Sequence, residues 1–169
     1  GIVFYTVPFF FALRYLATPE AHRELLKAFV VMGLLYSLLM LVEIRLSPQL
    51  HTWIYGYFQH SFLQHIRGGF RPIVFLQHGI WVGFFIFMTV IAALGLWKAT
   101  HQPKWILAAL WLFLVLVLSR NLGATAVCLL CALVFMLAGR RLQTMFAVAI
   151  AMIVLSYPTL RQAQFVPID

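Results

Sequence analysis

The sequence predicts an all-α fold, a polytopic transmembrane helical bundle of about six spans plus one interfacial helix. Three observations carry that prediction. Of the 169 residues 64% are hydrophobic, only 9% are charged and mean hydropathy is +0.98, whereas an ordinary soluble domain has roughly 25% charged residues. The apolar runs between polar residues approach the length of about 20 residues that a helix needs to cross a bilayer. Those runs are continuous rather than alternating, which counts against a transmembrane β-barrel. Residues 1–169 read as one transmembrane domain. The chain opens on Gly1 rather than Met, with no signal-peptide layout ahead of the first apolar run, so it is expected to be a piece of a longer protein.

The first span, about 2–14, is short and is closed by Arg14 and Tyr15. Thr18-Pro19-Glu20 is a helix start, with an N-cap, a proline at the first helical position and an acid in the first turn, and it leads into the second span, about 28–46. From Ser47 to Pro72 the chain is aromatic but too polar to cross. Ser47-Pro48 repeats the N-cap and proline pattern, and Leu50, Ile54, Tyr57 or Phe58, Phe62 and Ile66 recur at helical spacing. Residues about 48–67 therefore read as an interfacial helix, ended by Gly68-Gly69. The third span, about 73–97, would take Pro72 in its first turn. The fourth and fifth, about 105–119 and 122–138, are parted only by Arg120-Asn121. The sixth, about 142–157, follows Gly139-Arg140-Arg141 and stops at Pro158.

The net charge is +8, from 12 Lys plus Arg against 4 Asp plus Glu. Sorted by loop, Arg14, Arg23, Lys27, Lys98, Lys104, Arg140 and Arg141 fall on one face, joined by His22 and His101; Arg45, Arg67, Arg71, Arg120 and Arg161 fall on the other. The first face is expected in the cytoplasm, because basic loops stay inside. Tyr15, Trp97 and Trp105 then mark the cytoplasmic interface, and Trp53, Tyr55, Tyr57 and Tyr157 the outer one.

Positive charge on the outer face serves no topological purpose, and four of the five cations there, Arg45, Arg67, Arg71 and Arg120, share one membrane depth. All are arginines, whose guanidinium stays charged and binds phosphate oxygens through a rigid fork. The third and fifth helices also begin on that face, which adds two positive dipole ends, with Asn121 placed to cap one of them and Gly68-Gly69 leaving backbone open to a ligand. The pattern describes a site for a strongly anionic head group at the outer membrane surface, with a lipid diphosphate as the natural ligand. Long basic side chains at span ends also snorkel to the interface with no further role. Arg120 stands apart, since a charge in a two-residue break between spans is expensive unless it is used.

Three further polar residues lie at this depth or just below it. Gln77 and His78 would sit within the third span, about 9 Å along the axis from Arg71. His78 offers an acid or base, or a group to orient a phosphate; the plainer reading is a hydrogen bond to a neighbouring helix. Glu43 is the one acid at this depth. It is expected to pair with Arg45, Arg71 or Arg120, the alternative being a base toward a sugar hydroxyl. His51, His60 and His65 fall on different helix faces with no carboxylate beside them, so no metal site is predicted. Cys128 and Cys131 match C-x-x-C inside an apolar run and read as small packing residues. No glycine loop for nucleotides is present, and no nucleic-acid partner is expected.

Gly68-Gly69-Phe70-Arg71-Pro72-Ile73-Val74-Phe75, followed by a helix, and the break Ser119-Arg120-Asn121-Leu122-Gly123-Ala124 resemble the two arginine motifs of the O-antigen ligase and O-antigen polymerase superfamily of bacterial inner-membrane proteins, a group that includes exopolysaccharide polymerases. The second motif of that family is typically Ser-Arg-Gly-Ala; here Asn121-Leu122 intervenes before Gly123-Ala124. The tail from Tyr157 to Asp169 resembles the entry to the large periplasmic loop of such proteins. The resemblance implies a glycosyltransferase that moves a polyprenyl-diphosphate-linked saccharide onto a sugar acceptor on the periplasmic side, without metal, nucleotide or other cofactor. Arg71 and Arg120 would inherit the diphosphate role. Further functional residues, including a histidine, would lie beyond Asp169. Two other classes compete: a transporter or flippase for a lipid-linked or anionic solute, against which stands the lack of an internal repeat, and a noncatalytic membrane subunit that gathers anionic lipid.

Overall fold

The computed structural model describes residues 3–47, 49–57, 65–66 and 69–162. They form seven helices, α1 (Val3–Tyr15), α2 (Pro19–Leu46), α3 (Leu50–Tyr55), α4 (Gly79–Thr100), α5 (Pro103–Leu118), α6 (Leu122–Leu137) and α7 (Arg140–Gln162), and one short antiparallel ladder, β1 (His65–Ile66) with β2 (Gly69–Phe70). By length and composition α2 and α4 are apolar enough to cross a membrane, and α5 and α6 are shorter apolar helices. The chain divides into two compact units, Gly1–Leu129 and Leu130–Asp169.

The core of the first unit is the packing of α2, α4 and α5 on one another. Val30, Gly33, Ser37, Met40 and Glu43 form the buried stripe of α2, at the three- and four-residue steps that place side chains on one helix face. α4 is apolar on all sides and buries ten residues from Gly79 to Leu96, as a central helix must. Close approach is set by small residues: a Cβ on Gly33 would lie 2.7 Å from the Thr89 Cγ2, so only glycine lets α2 and α4 meet there. The Trp111 Nε1 of α5 donates to the Ser37 Oγ at 2.9 Å, tying α5 to the same stripe. Large apolar side chains face outward instead, among them Leu35 and Leu38 on α2, Trp81 and Phe84 on α4, and Leu110 and Leu114 on α5.

Helix ends explain where expectation and structure agree and part. Thr18 caps α2 as expected, its hydroxyl accepting from the Ala21 N–H at 3.2 Å with Pro19 first in the helix. Ser47 does not start the interfacial helix; it is the C-cap of α2 at φ 80, and α3 begins at Leu50 because Glu43 Oε1 accepts the Leu50 N–H at 3.3 Å. α3 stops after six residues, where Gly56 at φ 76 closes it by donating to the Thr52 carbonyl. The expected interfacial helix over 48–67 is thus shortened to Leu50–Tyr55, with Ile66 and Gly69 paired in the ladder rather than marking a helix end; positions 48, 58–64, 67 and 68 lie outside the described residues.

The third span begins at Gly79, six residues later than expected, and Pro72 lies before it. Val74 at φ 53 is outside the right-handed helical region, which bars a helix running from Ile73. Trp105, expected at an interface, is buried in the bundle near the start of α5, with the Lys104 Nζ 4.9 Å from its ring centroid. In the second unit, α7 runs through Pro158 to Gln162, past the stop expected at the proline. The Gln143 Nε2 donates to the Phe135 and Ala138 carbonyls at 3.0 and 2.9 Å, satisfying the end of α6.

Candidate functional site

Three of the four arginines singled out above lie in the described residues, all in the first unit. Arg45 is exposed in the last turn of α2. Arg71 follows β2 and is partly buried; its Nε is shielded from solvent and has no hydrogen-bond partner among the described residues. Arg120 is exposed in the turn between α5 and α6. Arg67 lies outside the described residues.

Hydrogen bonds, most of them buried, join these three positions end to end. Two residues before Arg45, Glu43 is 1% exposed, and its Oε2 accepts from Ile73 at 2.8 Å and Val74 at 2.7 Å, two residues past Arg71. One helical face along, the Tyr36 hydroxyl accepts from Phe75 at 3.0 Å. The segment then enters α4 at Gly79, whose carbonyl accepts from the Asn121 Nδ2 at 3.0 Å, and Asn121 adjoins Arg120. The C-terminal ends of α2 and α5 and the N-terminal ends of α4 and α6 therefore share one end of the bundle.

Glu43 does not pair with Arg45, Arg71 or Arg120, contrary to expectation. Its carboxylate is occupied by three backbone N–H groups, which is why it can be buried without a cation. Nor is it exposed to act as a base. His78 is also relocated: it is not inside a span but is the N-cap of α4, and its Nδ1 accepts from the Ile80 N–H at 3.1 Å. In the neutral ring that places the proton on Nε2. His51 is buried, its Nδ1 3.1 Å from the Tyr57 carbonyl and its ring against Tyr55 and Tyr57; His60 and the side chain of His65 lie outside the described residues.

Arg120 adopts φ 54, the left-handed conformation in which a helix commonly ends on glycine. The Arg120 N–H donates to Val117 and the Ser119 N–H to Val115, closing α5. An arginine in this conformation costs about 1–2 kcal/mol, a price glycine would avoid. Val74, β-branched, is held at φ 53 in the same way, where a side chain of its kind is a genuine outlier.

Two contributors escaped the sequence reading. One is Tyr36. The other is the notch formed by Gly79 and Gly83: a Cβ on Gly83 would lie 2.1 Å from the Asn121 Nδ2 and 3.0 Å from the Ala124 Cβ. The signal was the spacing Gly79-x-x-x-Gly83, the small-xxx-small pattern of closely packed membrane helices. It also accounts for Asn121 in the break between α5 and α6: its amide fills the notch. Comparison with known proteins returns no match: no family model, no curated protein and no solved structure is similar to this chain.

Proposed function

We propose that this chain is a membrane portion of a bacterial inner-membrane glycan polymerase or ligase, acting on the periplasmic side in surface-polysaccharide or exopolysaccharide biosynthesis. In this reading the six apolar segments, α1, α2, α4, α5, α6 and α7, are spans. The outward Leu, Phe and Trp side chains face lipid, and the arginine end of the bundle faces the periplasm. The donor is a polyprenyl-diphosphate-linked saccharide and the acceptor a sugar hydroxyl.

The observation that carries the reading is Arg71. A buried guanidinium N–H without an acceptor costs about 1–3 kcal/mol or more; the Arg71 Nε has none among the described residues, and a diphosphate oxygen would supply one. Arg120, kept in a conformation that favours glycine, supports it. So does an apolar groove of about 540 Å3 lined by Leu76, Ile80, Trp81, Phe84, Phe85 and Met88, which descends α4 from the segment that follows Arg71 and suits the lipid tail of the same amphiphile.

Chemically, the acceptor oxygen attacks the anomeric carbon of the donor, the bond from that carbon to the diphosphate oxygen breaks, and the acceptor proton leaves to a base. Arg71 and Arg120 stabilise the negative charge that grows on the departing diphosphate. The test is charge-conserving substitution. Arg71→Lys and Arg120→Lys are each expected to abolish product while the protein still accumulates in the membrane, because lysine cannot reproduce the fork. Full activity in both variants would overturn the proposal, as would movement of a lipid-linked glycan across proteoliposomes with no new glycosidic bond.

A further inference from the structure

We infer that Glu43 is the positioning residue for Arg71, acting through the backbone of Ile73 and Val74; the inference rests on Arg71 being a diphosphate ligand. The segment after Arg71 has little of its own to define it: it is neither helix nor strand until Gly79. Its Val74 holds φ 53, a conformation that persists only where the surroundings over-determine it. Glu43 supplies that determination. One of its oxygens accepts from two successive amides, Ile73 and Val74, and the other from Leu50 at the start of α3. A carboxylate suits this task because it presents acceptors only, and all of the groups it meets are donors. Pro72, fully buried and fixed in φ, is the sole residue between Arg71 and the first amide held by Glu43. The position of Arg71 is therefore coupled to a side chain near the end of α2, 28 residues earlier in the chain. Tyr36, seven residues before Glu43, secures Phe75 from the same helix.

The experiment is a double-mutant cycle on the full protein in detergent, with farnesyl diphosphate as the probe and equilibrium binding as the readout. Glu43→Ala is expected to weaken binding about tenfold, and to add less than about twofold in an Arg71→Ala background, because both changes remove one contact. Wild-type binding by Glu43→Ala, or an equal loss in both backgrounds, would overturn the positioning role while leaving the diphosphate reading intact. Should Glu43→Ala not accumulate, Glu43→Gln and Glu43→Asp decide. Gln retains an acceptor for Ile73 and Val74, whereas Asp keeps the charge but withdraws it by one methylene, so Gln is expected to bind the probe more tightly; the reverse order would overturn the inference. Absence of binding by the wild-type protein, or undiminished binding by Arg71→Ala, would overturn the diphosphate reading and with it the role of Glu43.

Discussion

Replacing Gly83 by alanine is expected to destabilise the bundle, although alanine is the better helix former. The added Cβ would stand 2.1 Å from the Asn121 Nδ2 and 3.0 Å from the Ala124 Cβ, so the Asn121 amide must leave the notch. Its hydrogen bond to the Gly79 carbonyl, 3.0 Å long and buried, is then lost. Stranding a buried amide costs about 1–3 kcal/mol and overpacking a tight contact about 1–3 kcal/mol, while the gain in helix propensity returns about 1 kcal/mol. The net is a loss of roughly 1–5 kcal/mol, which for a chain of this size lowers Tm by roughly 2–20 °C. Thermal unfolding of the detergent-solubilised protein measures it. A second variant isolates the cause: Asn121→Ala should cost much less in the Gly83→Ala background than in the wild type, with a coupling of at least about 1 kcal/mol. If Gly83→Ala unfolds at or above the wild-type temperature, or if Asn121→Ala costs the same in both backgrounds, the notch does not hold the Arg120 turn.

Arg120→Gly should raise stability by about 1 kcal/mol, since glycine adopts positive φ freely, yet abolish product; Tm and glycan transfer measured on one preparation would show the two moving in opposite directions, and a stable, active variant would remove Arg120 from the site. His78→Ala should lose about 1 kcal/mol of stability with the cap, and His78→Asn should restore it. Product formed by His78→Asn at the wild-type level is the expected result, whereas a folded but inactive His78→Asn would show that the imidazole takes part in the chemistry.

Much of the helical layout was legible in the residues. Thr18-Pro19 starts α2 as its pattern predicts, and the break at Ser119-Arg120-Asn121 separates α5 from α6. Local residue types decide such features, because a cap or a proline acts on its own turn. The segment from Ile73 to His78 is the opposite case. It is apolar enough to extend α4 by more than a turn, and it does not: Val74 stands at φ 53, outside the right-handed helical region, and its conformation is fixed by bonds to Glu43 from a different helix. Ser47-Pro48 misleads for the same reason: the first turn of α3 draws its acceptor from Glu43 rather than from the adjacent serine.

The candidate site divides along the same line. Arg45, Arg71 and Arg120 could be selected by charge and by position at the ends of apolar runs, and those properties belong to the residues themselves. The partner of Glu43 could not. A carboxylate accepts from a guanidinium or from a backbone N–H with equal chemical sense, and every residue except proline offers an N–H, so no pattern of side chains marks the amides it meets. The sequence by itself determined an apolar helical chain with a cationic end. Only the tertiary structure decided that this end is held by buried carboxylate and amide contacts over gaps of 30 and 42 residues, because which donor reaches which acceptor is settled by packing α2, α4 and α5 together.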